Sequence, residues 1–143
     1  MRLFCTIWIL QSICVVVAAQ TLRQGIQGQV FLVATTLADS TAARPNPNAG
    51  IQREVVIHQL TTLGQAKHEN GIFKSVPTEM VLSMLTEKDG SFKAKLPPGE
   101  YSVFIKEAGG LYANLFEQNR INPVIVKPKQ YSWVTITVEY PGL

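Results

Sequence analysis

The side chains able to carry chemistry are few, and their spacing does not suit it. His58 and His68 stand ten positions apart, with Glu69 the only adjacent acid. No H-E-x-x-H or comparable zinc spacing is present, and a catalytic metal takes about three protein ligands. No serine lies in a G-x-S-x-G turn, so no nucleophile of the hydrolase type is marked. Glu87 and Asp89 bring two carboxylates close to Gly90, but an Asp there is accounted for by bonding to its own turn backbone. Both cysteines, Cys5 and Cys14, fall within the first 19 residues. The sequence therefore assigns no catalytic residue, no metal ligand and no cofactor, and the histidines read as structural or surface residues.

Binding residues are easier to find. Trp133, Thr135 and Thr137 share one side of an alternating segment, and Phe104 lies on the side of its segment opposite Tyr101 and Val103. Aromatic rings flanked by hydroxyls form a strip suited to stacking a sugar ring or docking a partner. The blander reading is that both faces of these segments are covered, by a second sheet on one side and a loop on the other.

The elements that must position these residues are strands. Of the 143 residues, 46% are hydrophobic and 16% charged, a globular composition and the length of one domain. The formal charge of +3 is spread along the chain without a basic run, so the pI near 9.0 makes no case for nucleic acid. Residues 3–19 are mostly apolar behind Arg2 and end in Val17-Ala18-Ala19, small residues of the kind a signal peptidase reads. Cleavage after Ala19 is expected, giving a signal peptide at 1–19 and one domain at 20–143. As a membrane span the run is interrupted by Gln11 and Ser12 and falls short of the roughly 20 apolar residues needed. Ile13 before Cys14, and the lack of a small residue before Cys5, argue against a lipid anchor. Cleavage would leave no cysteine, which excludes disulfides and thiolate sites.

Short runs rich in Val, Ile, Phe and Tyr, separated by Gly, Pro and Asn, recur beyond Thr21 with no sustained helical period, which predicts an all-β fold. Eight strands are expected near Ile26–Ala34, Glu54–Leu60, Met80–Thr86, Ser91–Leu96, Tyr101–Glu107, Tyr112–Phe116, Asn122–Val126 and Ser132–Tyr140. Met80–Thr86 and Ser91–Leu96 are expected to form a hairpin across Glu87-Lys88-Asp89-Gly90, because Asp-Gly supplies the positive φ of a tight turn. Alternation places Phe92, Ala94 and Leu96 in the core with Lys93 and Lys95 in water. It likewise groups Tyr101, Val103 and Ile105 on one face, and Val134, Ile136, Val138 and Tyr140 on another. Two connections, 35–53 and 61–79, are long enough to be binding loops or merely slack ones; the second contains Asn70-Gly71, a small-hairpin signal.

Two turns bring a family into view. Asp89-Gly90-Ser91-Phe92 and Leu96-Pro97-Pro98-Gly99-Glu100-Tyr101 lie within TEKDGSFKAKLPPGEYSVFIKE, residues 86–107. This stretch resembles the carboxypeptidase regulatory-like domain, a transthyretin-like (prealbumin-like) β-sandwich. The opening Gly28-Gln29-Val30, the loop Pro47-x-x-Gly50 and the strand Val55-Val56-Ile57 fall where that family places theirs, so the resemblance spans most of residues 25–140. It implies a Greek-key sandwich of about seven or eight strands and a non-catalytic accessory module, here in the stand-alone form found in small exported bacterial proteins. Enzymes on related sandwiches are not matched. The transthyretin-like hydrolase ends in Tyr-Arg-Gly-Ser, whereas this chain ends Tyr140-Pro141-Gly142-Leu143; the intradiol dioxygenases use two Tyr and two His at spacings absent here. A Lys–Asn isopeptide crosslink of the adhesin type is set aside as well, since Ile26–Ala34 has no Lys and Ser132–Tyr140 no Asn.

The expected function is accordingly a secreted, periplasmic or cell-surface module, not an enzyme, with a structural or protein-interaction role at the cell envelope. The alternative is a carbohydrate- or peptide-binding module using loops 35–53 and 61–79 and the Trp133 face. The expected partner is an envelope protein or glycan, with no nucleic acid and no membrane span after cleavage.

Overall fold

The computed structural model describes residues 23–33 and 49–139, and every element in them is a strand or a turn. The signal-peptide segment, most of the 35–53 connection and Tyr140 lie outside the described residues. The strands, in chain order, are β1 (Gly25–Val33), β2 (Glu54–Gln59), β3 (Lys67–Glu69), β4 (Ile72–Ser75), β5 (Met80–Leu85), β6 (Ser91–Lys95), β7 (Gly99–Glu107), β8 (Gly110–Tyr112), β9 (Phe116–Glu117), β10 (Arg120–Ile121), β11 (Pro123–Val126) and β12 (Tyr131–Glu139). Among the described residues no helix is long and apolar enough to cross a membrane.

Two sheets face one another as a β-sandwich. The smaller has the order β12-β1-β6, with β1 parallel to β12 from Gly25↔Tyr131 to Val33↔Glu139 and antiparallel to β6. The larger runs β3-β4-β8-β7-β2-β5, with β11 also paired to β7. Between them lies a core of Ile26, Val30, Val55, Ile57, Phe92, Ala94, Leu96, Tyr101, Val103, Ile105, Val124, Val126, Val134, Ile136 and Val138. The period-2 alternation of β6 and β12 produces this: their alternate apolar residues point inward and Lys93, Lys95, Trp133 and Thr135 point out.

The turn at Glu87–Gly90 forms as expected, but the strands it joins are not a hairpin. Gly90 has φ 81°, its N–H donates to Glu87 O at 2.9 Å, and Glu87 N–H donates to Ser91 O at 2.8 Å. Yet β5 pairs with β2 and β6 with β1, so the turn carries the chain from one sheet to the other. Alternation decides which side chains share a face; it does not decide which strand lies alongside. Tyr112–Phe116 is not one strand either. β8 ends at Tyr112, Ala113 turns into the interior, and pairing resumes at Phe116. The Asn70-Gly71 hairpin is present, joining β3 to β4 through φ 52° and 78°, both left-handed values that suit Asn and Gly. His68, expected in a loop, therefore sits on a short strand.

β2 and β7 are covered on both faces. A second cluster of Val56, Ala66, Phe73, Phe104, Ala113 and Ile121 packs on the side of the larger sheet away from the sandwich core. The 61–79 connection supplies Ala66 and Phe73, so it is a folded cover and not a slack loop. The uninterrupted runs Val55-Val56-Ile57 and Val103-Phe104-Ile105 fit this, since a strand buried on both faces has no polar alternation.

Candidate functional site

Trp133 stands in the middle of β12 with 63% of its surface exposed. Its neighbours in sequence, Ser132 and Val134, are respectively half-buried and buried, so the strand is fixed while the indole stays in water. The indole Nε1 donates to Thr135 Oγ1 at 3.1 Å, which holds the ring along the strand. Gln27 of β1 is directly opposite Trp133, and Gln29 is opposite Thr135. On the other side of β1, Gln27 faces Lys93 and Gln29 faces Ser91. Lys93 Nζ lies 4.1 Å from the centroid of the Tyr131 ring, a cation–π contact that ties β6 to β12 across the sheet. The outer face of the smaller sheet thus presents one exposed indole beside the Tyr131 ring, the Gln27 and Gln29 amides, the Thr135 hydroxyl and the Lys93 ammonium group, with Phe31 half-buried farther along β1.

Phe104 does not belong to this surface. It is 0% exposed, against Phe73 at a ring-centroid distance of 5.7 Å and His58 at 5.5 Å, both edge-on. Its sequence parity places it opposite the sandwich core correctly. What parity does not reveal is that the 61–79 connection folds over that side. The binding strip drawn from Trp133, Thr135, Thr137 and Phe104 therefore reduces to its three β12 members, with Thr137 half-buried.

A cleft of about 540 Å³ opens at the far end of β12, lined mainly by Leu63, His68, Phe73, Tyr112, Phe116 and Glu139. Sequence reasoning gives no hint of it, because its walls come from four separated segments. Asn114, also on its wall, donates its amide to Thr137 O at 2.9 Å and to Thr137 Oγ1 at 3.1 Å. Tyr112 Oη accepts the Glu139 N–H at 3.3 Å. Trp133, Thr135, Thr137 and Glu139 alternate along one side of β12, so the strand links indole and cleft over roughly 20 Å.

The histidines stay apart in role. His58, buried on β2, has Nδ1 2.9 Å from Thr78 O and 3.3 Å from Thr78 Oγ1; His68 packs edge-on against Phe73 at 5.5 Å. No group of three or more His, Cys, Asp or Glu capable of holding a metal occurs among the described residues. Compared with protein-family models and with curated proteins, the chain matches none.

Proposed function

We propose that this chain is an exported, non-catalytic β-sandwich module of the cell envelope that binds glycan through the outer face of the β12-β1-β6 sheet. The observation that carries the reading is the exposure of Trp133 between Tyr131 and Thr135 on its own strand and beside Gln27 and Gln29 of β1. An indole in water forgoes the burial that usually holds a Trp, and an aromatic ring beside Gln27, Gln29 and Thr135 offers a sugar both an apolar platform and hydrogen-bonding rims. Export rests on residues 2–19, with cleavage after Ala19. Kinship with the carboxypeptidase regulatory-like domains rests on the two turns in residues 86–107. The non-catalytic reading rests on the scattered placement of the two histidines and on the turn role of Asp89.

Titration with peptidoglycan fragments and with soluble polysaccharides, read by indole emission, tests the glycan reading. A blue shift that saturates, and weakening of retention on the same glycan by about three- to tenfold or more in Trp133→Ala, supports it. Unchanged emission across both glycan classes, with no retention on either, overturns it.

A further inference from the structure

We propose that the glycan held at the Trp133 face is an anionic one, its carboxylate or sulfate groups received by Arg23, Lys93, Lys95 and Lys129 while a sugar ring lies on the indole. The inference rests on the glycan reading and names the chemical class that the same face selects.

The fold gathers at one end of the smaller sheet cations that the sequence scatters. Lys95 is opposite Gly25 and Lys93 opposite Gln27, and those two β1 residues face Tyr131 and Trp133 on their other side. The alternation that sends Phe92 and Ala94 into the core turns both lysines outward. They stand about 7 Å apart along β6 and two strands, roughly 10 Å, from the aromatic pair. Arg23 leads into β1, and Lys129 lies in the turn that leads into β12. The Lys129 N–H donates to Gln24 Oε1 at 3.0 Å and the Gly25 N–H to Gln130 O at 3.2 Å, which sets the two approaches side by side. All four cations are exposed.

Among the described residues no acid answers them. None of the four is ion-paired there, whereas Arg53, Lys106 and Arg120 each meet a glutamate. The stretches Gly25–Gln29, Ser91–Lys95 and Tyr131–Thr135 contain no Asp or Glu. Asp89, ahead of β6, is engaged by the Ser91 N–H and hydroxyl. Glu100, soon after Lys95 in the chain, belongs to the larger sheet and lies 3.8 Å from Arg120. Glu139 is at the other end of β12, about 25 Å from Tyr131. The stretch 34–48, outside the described residues, contains Asp39 and Arg44 and so has no net charge. Its far flank, Ala49, meets β1 at Leu32, roughly 20 Å along the strand from Gly25.

Unopposed cations on one face raise the local concentration of anions, and an ammonium group accepts carboxylate or sulfate alike as a point charge. A neutral glycan would leave these charges unused, and an acidic peptide would leave the indole unused. A single nucleic-acid strand stacks on several aromatic platforms in succession; here one indole is open, and the Tyr131 ring is taken by Lys93.

Two matched pairs test the proposal on the secreted chain: oligogalacturonate against its methyl ester, and dextran sulfate against dextran, followed by indole emission and by retention. In at least one pair the charged member should bind at least tenfold more tightly at about 50 mM salt, and the gap should close by about 0.5 M; that pair identifies the anion. The Lys93→Gln, Lys95→Gln double variant should keep the wild-type melting transition, weaken the charged member by at least fivefold and leave the neutral one unchanged. Lys93→Arg should keep the preference, and Trp133→Ala should weaken both members. Equal binding within both pairs overturns the anionic assignment and leaves the glycan reading standing. A preference that the double variant retains also overturns it, as does polyglutamate or a single-stranded oligonucleotide held as tightly as the preferred charged sugar. If no member of either pair binds, the glycan reading falls and this inference falls with it.

Discussion

Val30 donates its N–H to the Gly90 carbonyl at 3.0 Å, and a Cβ placed on Gly90 would stand 2.2 Å from the Val30 carbonyl oxygen. The inter-sheet turn is thus docked backbone to backbone on β1, at a residue whose φ is already left-handed. Gly90→Ala should destabilise the protein by about 3 kcal/mol through strain and overlap together. Urea unfolding with an unchanged m value is the measurement. A loss under about 1 kcal/mol would mean the turn yields easily.

Trp133 and Phe104 should respond oppositely to truncation. Trp133→Ala removes a ring that lies in water, and a stability change within about 0.5 kcal/mol is expected. In a chain beginning at Gln20 it is the only tryptophan, so emission near that of free indole, open to iodide quenching, is the accompanying signature.

Phe104→Ala, by contrast, empties the centre of the edge-on series His58–Phe104–Phe73. A loss of about 3–5 kcal/mol is expected, read by thermal or urea unfolding, with Trp133 emission in the folded state unmoved.

Acid should weaken the fold through two carboxyls. The Ser91 hydroxyl, then the Ser91 N–H, hold Asp89 below the ordinary carboxylate range. The Ser83 hydroxyl, then Lys106, do the same for Glu54. Each folded value lies below its unfolded one, so the contribution is present above about pH 4 and is lost as pH falls through the folded value. Ser91→Ala should raise the Asp89 titration midpoint toward the ordinary value, as followed by carboxyl NMR.

Base acts at Tyr101. Burial pushes its phenol up, and its hydroxyl donates to Pro97 O at 2.8 Å. The folded value exceeds the unfolded one, so this contribution is present below about pH 10 and is lost as pH rises through the folded value. Tyr101→Phe should cost about 1 kcal/mol at neutral pH and flatten the alkaline fall in stability.

The turns and faces were legible in the sequence because each depends on neighbours in the chain. Asp89-Gly90 declares a left-handed position, Asn70-Gly71 another, and the alternation from Phe92 to Leu96 and from Val134 to Val138 declares an inward side. Strand neighbours depend on the whole fold, which is why β5 and β6 read as partners and are not. At Phe104 the structure takes the covered alternative and not the binding strip: alternation fixes its side of β7, while the cover comes from Ala66 and Phe73, about 30 to 40 residues earlier in the chain. The runs Val55-Val56-Ile57 and Val103-Phe104-Ile105 carried a signal of two-sided burial that a strict alternation reading overlooks. The cleft left no such trace, since its walls are divided mainly between residues 68–73 and 112–116, which only the fold brings together.

The parallel register of β1 and β12, unbroken from Gly25↔Tyr131 to Val33↔Glu139, has a mechanical consequence. A pull applied at Gly25 and at Glu139 acts on opposite ends of two strands lying side by side in the same direction. Force is then carried in shear across all of their cross-strand bonds at once, instead of peeling them apart one by one. A module loaded through these two points would resist extension until the whole β1–β12 seam gave way together.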